Sequence, residues 1–180
     1  NAGALSVQRH TTTAGIEATV SAQVLGPFLL TSLLLEPPAA AVPGRVITMS
    51  SGGMYATGLT VDDLQMSERE YGGAAQYARA KRAQVTLNEV WAQRTDASHV
   101  VFHAVHPGWA DTPGVQTSLP TFRRVTGPLL RTPQQGADTM VWLAADDEAL
   151  ATNGRFWLDR RMRSIHKLGR TRKTDTPGRR

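Results

Sequence analysis

The spacing of apolar positions along the chain changes period several times, and each change marks an element. From about Ile16 to Leu35 apolar residues recur densely enough for a long helix, which Pro37-Pro38 stops. Thr11, Thr12 and Thr13 precede it as candidate N-cap hydroxyls. Val46 to Met49 is a short continuous run rich in β-branched residues, the pattern of a strand covered on both faces. Gly73 to Arg94 returns to helical spacing, with Ala74, Ala78, Val85 and Val90 on its apolar positions. His99 to Val105 is a second covered strand, closed by Pro107-Gly108. Pro133 opens a helix to about Ala145, in keeping with proline's preference for the first turn, and Gly154 to Leu158 gives a third strand. Asn1 to Val7 reads as a strand end entering a loop. Strands alternating with helices predict an α/β protein with a parallel sheet and right-handed crossovers.

Composition sharpens this only in part. At 180 residues with 41% hydrophobic and 19% charged, the chain is globular and has room for one full core. It has no cysteine, which excludes disulfides, thiolate metal sites and cysteine nucleophiles. Its longest apolar stretch, Val24 to Leu35, is about twelve residues and too short to span a bilayer. The net charge of +5 is concentrated at one end: residues 160 to 180 hold nine Lys/Arg and one acid, leaving the remainder at −3. Two units are therefore expected, a domain over 1–159 and a basic, disordered tail over 160–180. Such a tail could bind anions or nucleic acid, but it lacks the interleaved aromatics that stack bases, so no nucleic-acid partner is expected. The opening Asn1-Ala2-Gly3 has neither the charged start nor the apolar stretch of an export signal and reads as the interior of a domain.

In an open parallel sheet, ligands sit beyond the carboxyl ends of the strands. Two loops fall there, Ser50 to Gly53 and Pro107 to Thr112. Between them, Tyr77-Ala-Arg-Ala-Lys81 places a phenol and an ammonium four apart on one helix face. A nearby Lys⁺ favours the phenolate and would draw the tyrosine's pKa down towards the range of a useful acid/base. Ser50 or Ser51 could hold a carbonyl oxygen beside it. His99 and His103 share a strand face while His106 points to the other, so no metal is expected. Trp91, Trp142 and Trp157 read as core or interface residues; Trp109 borders the candidate pocket.

Taken in order, NAG, LGPFLLT, VITMSS, YARAK and HPGWADT resemble the short-chain dehydrogenase/reductase superfamily. HPGWADTPGV and GRFWLDRR are similar to its retinol-dehydrogenase-like branch, within it most to the family member 12 type. The resemblance covers nearly all of residues 1–161 and implies the C-terminal part of a Rossmann-type doubly wound parallel sheet, an incomplete domain. It implies hydride transfer between NAD or NADP and a small-molecule alcohol or carbonyl, with Tyr77 as general acid/base. Lys81 would lower the phenol's pKa, and Tyr77 and Lys81 would meet the nicotinamide ribose. Ser51, ahead of Ser50, would polarise the substrate oxygen. Asn1, Ala2 and Gly3 match the motif beside the cofactor's adenosine half, and Pro107, Gly108 and Thr112 the loop that holds its carboxamide. Homo-oligomers are common in the superfamily, and a cytoplasmic, membrane-free setting is expected.

Two departures stand out. Where the family carries a catalytic Asn, this chain has Gln23. Pro27 has no N–H for the Gln23 carbonyl four residues back, so the expectation is that Gln23 serves through its backbone, as the acceptor of a water in the Lys81 proton relay. The second departure is that the sequence has no Gly-rich strand-to-helix turn for a pyrophosphate, so this piece alone is expected to bind dinucleotide weakly or not at all. The alternatives are an inactive remnant serving as an interaction module, or an epimerase or dehydratase using the same Tyr/Lys pair.

Overall fold

A computed structural model of the chain describes residues 5–35, 43–59, 61–111, 124, 127 and 130–172. Asn1, Ala2, Gly3 and Thr112 lie outside the described residues. Four strands form one sheet in the order β1 (Gly44–Met49), β2 (Val100–Val105), β3 (Arg155–Leu158), β4 (Arg161–Met162). The first three are mutually parallel and β4 is antiparallel to β3. The register pairs Gly44 with Val100 and Met49 with Val105, so β1 and β2 end level with each other.

Helices cover both faces, which is why these strands are continuously apolar rather than alternating. Helix α3 (Gly73–Arg94) packs on one face, with Met54, Val85, Ala104 and Phe156 between helix and sheet. Helix α4 (Pro133–Ala145) packs on the other, over Val105, Leu143, Ala149 and Trp157. Its start is a full capping box: Thr132 accepts from the Gln135 N–H, and Gln135 accepts from the Thr132 N–H. Trp91 stacks on Phe102, and Trp142 meets Trp157 edge to face.

The predicted helix of residues 16–35 is three pieces, α1 (Ala18–Val20), a π-helical turn (Ser21–Leu25) and α2 (Gly26–Leu34). The N-cap is not one of the threonines. Glu17 does this instead, its buried carboxylate accepting the Val20 N–H at 2.9 Å and the Tyr71 hydroxyl at 3.3 Å. A carboxylate with two donors can be buried where an isolated one could not. Thr12 accepts from the Ile16 N–H one turn earlier.

The boundary expected at residue 159 falls inside a hairpin. Asp159 and Arg160 both adopt left-handed backbone (φ 56° and 51°) and turn β3 into β4. Further on, Arg82, almost completely buried in α3, donates to the carbonyls of Met54, Thr57 and Ile165. Tyr55 donates to the Ser164 carbonyl at 2.7 Å. Residues 163–165 are thus laid against the fold.

Candidate active site

The parallel register brings the two loops singled out in the sequence side by side. Ser50 N–H bonds the Val105 carbonyl, and His106 N–H bonds the Trp157 carbonyl, carrying the ladder one residue past each strand. The serines divide the work. Ser50 is buried, its hydroxyl donating to the Lys81 carbonyl at 3.1 Å, which ties the strand end to α3. Ser51 is half-buried; its Oγ accepts the Gly53 N–H at 3.2 Å, and its hydroxyl lies near enough to the Tyr77 phenol to act on its pKa.

Lys81 lies one turn further along α3, its Nζ 5.3 Å from the centre of the Tyr77 ring. That ammonium donates to the Met49 carbonyl at 3.0 Å and to Gln84 Oε1 at 3.1 Å. Ser51, Tyr77 and Lys81 therefore share one corner, at the carboxyl end of β1.

The electrostatics differ from what the spacing predicts. Burial pushes the Tyr77 phenol above its usual value, with the Ser51 hydrogen bond opposing it, and no lowering by Lys81 is resolved. Burial also brings the Lys81 ammonium down to about 8. Both groups are pushed towards their neutral forms, the sign that desolvation gives. At pH 7 the phenol is protonated and able to donate, while most of the lysine stays charged.

Gln23 sits buried in the π-helical turn. There the Gly26 N–H bonds the Ser21 carbonyl, five residues back, and Pro27 has no N–H to give Gln23. The Gln23 carbonyl instead accepts Gln84 Nε2 at 2.6 Å. Its donor is a side-chain amide, where the sequence suggested a water.

The second loop is held by His106, for which the sequence suggests only a metal-ligand role, and that role is not expected. His106 Nδ1 accepts from the backbone N–H groups of Gly52 and Gly108, each at 3.2 Å, so the ring bridges both loops. Burial first, then the positive charges of Arg131 and Lys167, takes His106 down to about 4. His103 is also committed: Trp157 Nε1 donates to its Nδ1 at 3.0 Å and its Nε2 meets the Ala149 carbonyl at 2.8 Å. Pro107 and Ala110 sit against Gly136 of α4, where an added Cβ would come within 3.0 Å of Ala110. Gly108 has φ +78°, and an added Cβ would lie 2.7 Å from the Arg131 guanidinium. Arg131 pairs in turn with Asp159 at the β3–β4 turn. Trp109 beside it is about half exposed (49%). The signal that could have found His106 was its place, immediately past a strand on the ligand edge.

A parallel sheet covered on both faces, with Ser, Tyr and Lys gathered past its strand ends, defines a Rossmann-like α/β protein whose site lies on the ligand edge. No protein-family model matches the sequence. Human dehydrogenase/reductase SDR family member 12 is 44% identical over 167 residues, 92% of this chain and 52% of that protein. Human retinol dehydrogenase 13 is 34% identical over 87% of this chain and 50% of its own length. Among solved structures, an uncharacterised Mycobacterium paratuberculosis protein superposes with a TM-score of 0.65 at 26% identity, over 87% of this chain and 51% of that one. The angucycline C-6 ketoreductase LanV with bound NADP gives 0.64 at 20% identity, over 87% and 57%, a likeness of fold. The chain belongs to the short-chain dehydrogenase/reductase superfamily, in its retinol-dehydrogenase-like branch. It spans about half the length of the curated relatives it matches. No helix among the described residues is long and apolar enough to cross a membrane, and no group of metal-ligating side chains occurs among them.

Proposed function

We propose that the protein carrying this chain is an NAD(P)-dependent oxidoreductase acting on an alcohol or carbonyl, with Tyr77 as the proton-transfer residue. The observation that carries this is the gathering of the Ser51 hydroxyl, the Tyr77 phenol and the Lys81 ammonium past the end of β1. A protonated, desolvated phenol suits the reductive direction, in which it gives its proton to the oxygen of a carbonyl as negative charge develops there. Ser51, beside that phenol, would hold the same oxygen. Lys81 would stabilise the phenolate left behind and give an N–H to the nicotinamide ribose. Ser50 would keep the strand end and α3 in register.

These donors suit the nicotinamide end of a dinucleotide, which when bound supplies or accepts the hydride. Pro107 and Gly108, the latter held by His106, would border its carboxamide, and Thr112 would serve the same end of the cofactor. Asn1, Ala2 and Gly3 would lie towards the adenosine half. Gln23 would take part through its carbonyl, by way of Gln84 and Lys81. The sequence contains no Gly-rich turn for the pyrophosphate, so that grip belongs to none of these residues.

The test is Tyr77→Phe in the natural-length protein, assayed against a panel of aldehydes and ketones with NADH and NADPH. Turnover should fall at least about a hundredfold, the scale of general acid catalysis, with the circular-dichroism spectrum unchanged. A variant that keeps more than about a tenth of wild-type turnover on every substrate refutes the role of Tyr77.

A further inference from the structure

Lys81 and Gln23 are connected by a side chain to which the sequence assigns nothing. Gln84 lies three residues after Lys81 on α3 and is buried, 7% exposed. Its amide is used at both ends: Oε1 accepts from Lys81 Nζ at 3.1 Å, and Nε2 donates to the Gln23 carbonyl at 2.6 Å. The two bonds also fix which way the amide faces, since an ammonium can only donate and a carbonyl can only accept. Three elements thus meet at one group, namely α3, the π-helical turn and, through the Met49 carbonyl, the end of β1.

We propose that Gln84 is a positioning residue of this site, holding the Lys81 ammonium in one orientation by bridging it to the Gln23 carbonyl. An ammonium has three N–H bonds arranged about the Cε–Nζ axis. With Met49 and Gln84 taking two of them, rotation stops and the third N–H direction is set. Without Gln84, a side chain on four flexible methylenes would hold a single fixed bond and could swing about it. The bridge also explains why a π-helical turn is stable here, because the carbonyl that Pro27 cannot serve has a donor from another helix. This inference rests on the oxidoreductase reading for its purpose, but the bridge itself can be tested without a cofactor.

The chain has three lysines, Lys81, Lys167 and Lys173, so lysine-labelled protein gives three side-chain carbon signals to follow by NMR against pH. Burial alone accounts for the lowering of Lys81, with no carboxylate contributing. Gln84→Glu keeps the shape but places a carboxylate on the ammonium, and the Lys81 midpoint should rise by at least one pH unit. Gln84→Leu removes the acceptor, and the midpoint should fall by about half a unit or more. In the unaltered chain the Gln84 side-chain amide protons should exchange at least tenfold more slowly than those of exposed glutamines. This last measurement needs no variant to fold. A Lys81 midpoint that stays within 0.2 units in a folded Gln84→Glu protein, or Gln84 amide protons that exchange at the free rate, overturns the bridge. Titrations that move as expected in a protein whose Tyr77→Phe variant keeps its turnover would leave the bridge standing and remove the function proposed for it.

Discussion

Acidifying the solution should weaken the fold through the ring that joins the two site loops. His106 accepts two backbone N–H groups through Nδ1, so its proton is on Nε2 and the ring is neutral. In the unfolded chain it would titrate near 6.5; in the folded one it titrates at about 4. A depressed folded pKa means the unfolded state binds more protons between these values, so stability is full above pH 6.5 and lost as pH falls towards 4. From the two values, the loss is about 2 kcal/mol at pH 5 and approaches about 3 kcal/mol below pH 4, at 1.36 kcal/mol per unit. His103 is shifted in the same direction, so wild-type stability alone would mix the two. His106→Asn separates them: its carbonyl oxygen can stand where Nδ1 stands, it does not titrate, and His103 is common to both proteins. Urea unfolding followed by the fluorescence of the four tryptophans, at pH 7, 6 and 5, is the assay. The variant should be the less stable protein at pH 7, and the gap should close by about 2 kcal/mol by pH 5. Stabilities that run parallel across that window would show that His106 does not titrate as a buried acceptor, and the two-loop clip would fall with it.

Two further substitutions probe the supports of the site. Arg82→Met leaves the carbonyls of Met54, Thr57 and Ile165 without their donor, and should cost about 3 kcal/mol or more in the same urea assay. A loss under about 1 kcal/mol would mean that the fork contributes little. Gly108→Ala forces a side chain onto left-handed backbone and against Arg131, at about 1–2 kcal/mol. Adding Arg131→Ala should recover the part due to contact and leave the part due to φ, and full recovery would deny the backbone strain.

The covered strands were legible because a sheet with helices on both faces leaves a continuous apolar run, and α3 begins and ends where its spacing says. The shared face of Tyr77 and Lys81 was likewise given by helical period alone. The direction of the phenol's shift was not, because spacing reports proximity and is silent on desolvation, which here raises the phenol's pKa against the opposing Ser51 hydroxyl. The true helix cap was hidden for a similar reason. Three consecutive threonines look like better caps than a glutamate, until Tyr71, more than fifty residues away, supplies the second donor that lets Glu17 be buried. The hairpin at Asp159 and Arg160 escaped notice because it has neither glycine nor asparagine at its left-handed positions, and because β4 has only two residues. His106 and Gln84 act through bonds to other elements, and no local pattern encodes such partners.

The stretch of chain just after β4 reaches α3 by a short route. The carbonyl of Ile165 anchors a guanidinium whose own backbone is the next link after Lys81, and the Ser164 carbonyl accepts the Tyr55 hydroxyl. Loss of the residues after Met162 would remove no strand, yet it would take one of the three carbonyl acceptors from Arg82 and the hydroxyl's acceptor from Tyr55. What looks in the sequence like a trimmable basic appendage is, over its first few residues, a fastening of the helix that carries Tyr77.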